Sequence, residues 1–239
     1  MSAAESLGSP YALGVLARVG LAAALLLLAS FAVRRRIAAA SGGVLPDEGV
    51  TLRNVFEVLL AGLTSLARQI MGPEWRRWFP FVGAMFFFIL VSNLLGLIPG
   101  GAGATNDVNV ALAWAIISYV LFNYVGIRQH GLKNYLIKYM GPSFYTWHVG
   151  GRHIHVRALF FLFFPLETVL DAARMATLSI RLIANMFADH TVVGVFLLLV
   201  PPVVPAIFLG LGLLVACLQA FVFSLLTMIY INLALQEAH

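Results

Sequence analysis

The chain has 239 residues, of which 61% are hydrophobic and only 10% charged. Soluble domains carry roughly a quarter charged residues, so this composition excludes an ordinary water-soluble domain and belongs to an integral membrane protein. The net charge of +5 does not point to nucleic acid, because twelve of the fifteen Lys and Arg fall in residues 34–78 and 128–157; that clustering is the positive-inside pattern.

The first apolar run, Tyr11–Val33, is followed rather than preceded by Arg34-Arg35-Arg36. A signal peptide carries its positive charge in front, so the run reads as a retained helix over about 11–36 with its N-terminus outside. In 51–71, Leu52, Val55, Phe56, Leu59, Leu60, Leu63, Leu66 and Ile70 recur with helical spacing while Arg53, Glu57, Thr64 and Arg68 take other faces. This pattern predicts an amphipathic helix lying on the inner membrane surface. Two further spans are predicted over 79–98 and 106–127, joined outside by the Gly/Pro-rich segment from Pro99 to Ala104. Residues 129–157, with Lys133, Lys138, Arg152, Arg157 and four histidines, form a polar inner loop.

From Thr191 to Leu235 there is no charged residue, and only Pro201-Pro202-Val203-Val204-Pro205 interrupts the run. Prolines stop helices, which sets one helix over 159–200 and another over 206–236. At 1.5 Å per residue these reach about 45–60 Å, against a bilayer core of about 30 Å, so both tilt steeply or lie near the membrane plane. The expected architecture is a single all-α membrane domain over 1–239, with five membrane-embedded helices and one amphipathic surface helix. Five crossings place the C-terminus inside. The single Cys217 excludes a disulfide framework and reads as a small hydrophobe.

Arg181 stands in Ser179-Ile180-Arg181-Leu182-Ile183-Ala184-Asn185-Met186-Phe187-Ala188. An arginine keeps its proton, and placing one mid-membrane costs about 2.5–3.5 kcal/mol on insertion scales, so such a residue marks a functional site. At about 100° per residue, Glu167, Asp171, Arg174, Arg181, Asn185 and Asp189 share one stripe about 80° wide, while Ser179 and His190 fall off it. Ionisable groups so arranged face protein or water rather than lipid. Glu167, Asp171 and Arg174 also suit a structural role at headgroup level, with Asp171 pairing Arg174. Asp107 likewise suits a helix N-cap, and Asp189 an interfacial position.

The run from Leu178 to Ala188, together with Gln219-Ala220-Phe221-Val222-Phe223, Asn93-Leu94-Leu95-Gly96-Leu97-Ile98-Pro99 and Asp107-Val108-Asn109-Val110-Ala111-Leu112-Ala113, resembles subunit a of the rotary F-type ATP synthase, in order and over nearly the whole chain. The resemblance implies a stator proton channel in which Arg181 faces a c-ring of rotor subunits, each with a mid-membrane carboxylate, and separates two aqueous half-channels. It implies that Gln219 lies close to Arg181, where an amide can bond the guanidinium without neutralising it, with Asn185 on the same stripe. His190, with Asp189, Asp107 and Asn109, falls on the outer proton path; Glu167, Asp171 and Arg174 fall on the inner one. Bacterial relatives often carry a histidine seven residues before the glutamine, and here that position is Gly212. Asp107 or Asp189 is then the candidate partner of His190.

The implied partners are the c-ring, the peripheral-stalk subunit b, the remaining ATP synthase subunits and the lipid bilayer. The implied location is a bacterial inner membrane, with an organellar inner membrane as the alternative. The chain has no G-x-x-x-x-G-K-[ST] phosphate loop and no nucleophile with its base, so it is not expected to be an enzyme on its own or to hold a cofactor. His130, His148, His153 and His155 read as solvated loop residues rather than metal ligands. A stand-alone secondary transporter is the alternative class; it would show internal repeats, which this chain lacks.

Overall fold

The computed structural model describes residues 10–39, 51–98, 103–138, 145–149, 152–156, 160–199 and 203–236. The described elements are overwhelmingly helical. The first helix, α1 (Pro10–Ala39), is 30 residues long. Its inward face centres on the fully buried Ala22, with Val15, Val19 and Leu26 packing beside Phe88, Ala104 and Val110. Leu27, Leu28 and Phe31 are exposed on the opposite side, as a lipid-facing side would be.

Helix α2 (Leu52–Met71) begins where the Thr51 hydroxyl accepts the Asn54 N–H at 3.3 Å, which satisfies one of the free donors of a helix start. It ends at Gly72, whose φ of 59° a side chain would resist. Leu63, Ala67 and Met71 are buried, and Phe56 stacks on Phe87 with ring centroids 4.8 Å apart. One departure concerns Arg53, expected on a polar face. It is buried, with its Nε 2.7 Å from Glu57 one turn on, while Val55 and Val58 are exposed. Arg53 is buried while the Glu57 side chain stays 39% exposed at the edge, where a carboxylate at i+4 can reach back to the guanidinium.

A short 3₁₀ turn leads directly into α3 (Trp75–Leu97). The helix starts earlier than Phe79 because Trp75 and Trp78 have partners. Arg68 lies over the Trp75 ring at 4.8 Å, and Trp78 is buried in the main core. Pro80 is accommodated within the first turns. Val82, Met85, Phe86, Ile89, Leu90, Ser92 and Asn93 are all buried, so α3 is central. It packs chiefly on α6 (Val203–Gln236).

Helix α4 (Val108–Lys138) buries Ala111, Ala115, Ser118, Phe122 and Val125. That spacing of four, three, four and three is a single helical face. The helix runs past the expected end at 127 and kinks at Gly131, with φ 76° and ψ 153°. The polar loop expected over 129–157 thus contains the end of α4 and a hairpin, β1 (Tyr145–Val149) with β2 (Arg152–Val156), antiparallel and pairing Trp147 with Ile154. Glycine is the residue that reverses the helix at 131 without strain, and the Gly150-Gly151 pair between two strand-forming runs is a hairpin signal.

The last two helices are the longest, α5 (Phe160–Leu199) at 40 residues and α6 at 34. The latter starts at Val203 rather than after Pro205, because a proline in the first turn loses no intrahelical bond. Among the described residues, four helical stretches are long and apolar enough to cross a membrane.

Candidate functional site

Helix α5 has two unlike faces. Leu178, Ser179, Leu182, Met186 and Val193 are buried against the bundle. Ile180 is 62% exposed and Phe187 71%, and Arg181, Ala184 and Ala188 share that exposure. Arg181 therefore stands on an outward, otherwise apolar face flanked by small residues. Among the described residues it has no hydrogen-bond or ion-pair partner.

One turn along, Asn185 is half-buried and its Nδ2 donates to the Gln219 Oε1 of α6 at 2.9 Å. Gln219 is only 5% exposed, and its Nε2 has no acceptor among the described residues. The amide oxygen of Gln219 is thus taken by Asn185, not by the Arg181 guanidinium. Asn185 turns toward α6 while Arg181 turns outward. The result is a fixed cation with an open buried donor behind it, an arrangement complementary to an anion or a water.

A polar seam leaves this point toward the α3–α4 connection. The Asn93 Nδ2 donates to the Ala216 carbonyl at 3.2 Å, one turn before Gln219 on α6. The Asn93 Oδ1 accepts the Thr105 hydroxyl at 2.7 Å. Thr105 belongs to the 3₁₀ turn Ala104–Asn106, which precedes Asp107. Asp107 is 6% exposed; its Oδ1 accepts the Asn109 N–H at 2.9 Å, the geometry of an N-cap to α4. Its Oδ2 accepts the Tyr11 hydroxyl of α1. Asn109 itself is exposed.

This turn sits very close to α3. A Cβ at Gly103 would run into the Ser92 carbonyl oxygen, and one at Gly96 would come within 2.5 Å of the Met186 Cε. Glycine at both places is a packing requirement, and it brings Asn93, Thr105 and α5 together.

Glu167, Asp171, Arg174, Asp189 and His190 fall on α5, but their side chains lie outside the described residues. The seam also contains Thr105 and Tyr11, which no sequence motif marked, and Asn93, which stood in a motif of the resemblance without a role; Arg18 lies on the same helix as Tyr11. Asn93 was visible as an amide inside an apolar run, and Arg18 as a charge inside a span; both meet the rule that polar groups at membrane depth need a reason.

Fold and site together define an all-α, multi-pass membrane protein that carries a fixed cation on a face its own helices leave open. Comparison with known proteins gives the family. The family model described as the ATP synthase A chain matches residues 15–232. Among curated relatives, an ATP synthase subunit a of Bdellovibrio bacteriovorus is 36% identical over 208 residues, covering 87% of this chain and 85% of the relative. An ATP synthase subunit a of Syntrophotalea carbinolica is 38% identical over 207 residues, covering 87% and 79%. That of Sorangium cellulosum is 36% identical over 215 residues, covering 90% and 79%. The chain belongs to the ATP synthase subunit a family. It is accordingly a membrane component of a proton-translocating complex and works beside other ATP synthase subunits.

Proposed function

We propose that the chain is the stator proton channel of its ATP synthase, with two aqueous half-channels that exchange protons with the carboxylates of a rotating c-ring. The observation that carries this is Arg181: a permanent charge on an exposed apolar face, unpaired by any described side chain. Left in lipid it costs about 2.5–3.5 kcal/mol. Facing a ring carboxylate, the same charge favours the ionised form as each carboxylate passes and blocks direct proton leak between the half-channels. One elementary charge crossing the full potential releases about 2.3 kcal/mol per 100 mV, which is what the rotor transmits.

In this reading Asn185 holds the Gln219 oxygen and leaves its Nε2 free to meet a water or carboxylate oxygen beside Arg181. The outer half-channel uses Asp107, Asn109, Asp189 and His190, and we add Asn93 and Thr105 because they continue the seam from Asp107 to Ala216. The inner half-channel uses Glu167, Asp171 and Arg174. The N-terminus lies outside and the C-terminus inside a bacterial inner membrane, with subunit b among the stator partners. Arg181→Ala and Arg181→Gln abolish ATP-driven proton pumping in membrane vesicles while the complex still assembles. Retained pumping in either variant would sink the proposal, and a stand-alone transporter would keep its flux after the ring is removed.

A further inference from the structure

We infer that α1 is a working part of the outer proton entry: Tyr11 positions the Asp107 carboxylate for proton capture, with Arg18 placed behind it on the same helix face. The inference rests on the reading above that Asp107 lies on the outer path. Three observations carry it.

The two oxygens of Asp107 do separate jobs. Oδ1 alone performs the N-cap on Asn109 at 2.9 Å, and a cap needs only one acceptor. Oδ2 is held by the Tyr11 hydroxyl, from a helix 96 residues away in sequence. A charge-assisted bond of this kind fixes direction as well as distance.

The exposure is graded. Asp107 is 6% exposed and Tyr11 is 59% exposed, so the phenol stands between a buried carboxylate and the surroundings.

Arg18 has no other stated purpose. Seven residues after Tyr11, it lies on nearly the same face at about 100° per residue, the face that also carries the buried Ala22. Its Nε donates back to the Gly14 carbonyl at 3.1 Å, which brings the guanidinium one turn toward Tyr11. An arginine is costly within a membrane span, and a helix that served only as an anchor would not retain it.

The other elements at this turn are accounted for. From Phe79 to Leu97, α3 has no ionisable side chain. Helix α5 carries Asp189 and His190, whose side chains lie outside the described residues.

The test is ATP synthesis by the whole complex in liposomes at a fixed membrane potential, with the proton concentration varied on the outer face alone. In Tyr11→Phe, the half-saturating outer proton concentration falls roughly threefold or more, because the hydrogen bond that favours the ionised carboxylate is lost and proton uptake is favoured, while the maximal rate changes far less. A Tyr11 that only packs gives the opposite split: a lower maximal rate or less assembled complex at an unchanged half-saturating concentration. That result overturns the inference. Should Tyr11→Phe not assemble, Arg18→Gln is read in the same way and decides the matter. Arg181→Gln runs in parallel. If it transports protons, the functional reading fails; if it is dead and Tyr11→Phe matches the wild type, only the inference about α1 fails.

Discussion

At the Asp107 end of the seam, Asp107, Thr105 and Asn93 are tied within the chain, while the hydroxyl of the buried Ser92 beside Gly103 has no hydrogen-bond partner among the described residues. Asp107 is held from α1 and by its own cap, Thr105 donates to Asn93, and Asn93 reaches the Ala216 carbonyl. At the Arg181 end, one turn of α6 away, the pattern reverses. Arg181 has no partner among the described residues and the buried Gln219 Nε2 has no acceptor there. A buried donor left unmet costs about 1–3 kcal/mol. An open donor close to a fixed cation is complementary to an acceptor atom from water or from another polypeptide. The difference separates residues that build the protein from residues that use it, and substitutions at the two ends should divide between stability and transport.

The largest stability effect belongs to the satisfied end. Gly103→Ala drives a methyl into the Ser92 carbonyl, a backbone atom that cannot step aside, and costs about 3 kcal/mol. The amount of assembled complex in membranes should fall accordingly. Gly96→Ala meets the Met186 Cε, the far end of a flexible side chain, and should cost about 1 kcal/mol less. Equal losses would mean that the turn is not pinned as described. Asn93→Leu comes next: it strips Thr105 of its acceptor and costs about 2 kcal/mol, read as a lower unfolding temperature in detergent. No change in that temperature would show that the Asn93 bonds add nothing to stability.

The same contrast explains what could be read from sequence. Helices are legible where one residue pattern decides them, as in the face of Ala111, Ala115, Ser118, Phe122 and Val125, or the unbroken apolar stretch after Thr191. Arg181 is legible because a lone charge in an apolar run has few explanations. The Asn185–Gln219 bond was not, because spacing along two separate helices gives no relative rotation, and the family resemblance pointed Gln219 at the arginine instead. Arg53 was misplaced because helical periodicity ranks residues by polarity, whereas an arginine can be buried when a carboxylate one turn away, here the partly exposed Glu57, reaches back to pair with it. The hairpin was overlooked although Gly150-Gly151 between two runs rich in β-branched and aromatic residues is a hairpin signal in the sequence. Tyr11 and Asp107 lie 96 positions apart, and no local pattern links them.

A smaller effect tests the satisfied class away from the seam. The Ser118 and Thr227 hydroxyls lie 3.0 Å apart between α4 and α6, and Thr227 also donates to the Phe223 carbonyl. Ser118→Ala should cost about 1 kcal/mol, and adding Thr227→Val should cost less than the two single losses together, because the pair shares one bond. Strict additivity would show that the two hydroxyls do not interact.

Gln219→Leu should change stability least and divide the two ends most cleanly. The substitution loses one hydrogen bond with Asn185, which lowers stability, and also removes a buried Nε2 already without an acceptor, which raises it. Both terms are about 1 kcal/mol and of opposite sign, so the unfolding temperature and the amount of assembled complex should stay close to wild type, within about 0.5 kcal/mol. Proton pumping should nevertheless drop several-fold, because the donor beside Arg181 is gone. Asn93→Leu is the mirror case, with a stability loss out of proportion to its effect on the arginine. If Gln219→Leu instead unfolds the protein as Asn93→Leu does, the amide is a structural tie between α5 and α6, and the open end of the seam shrinks to Arg181 alone.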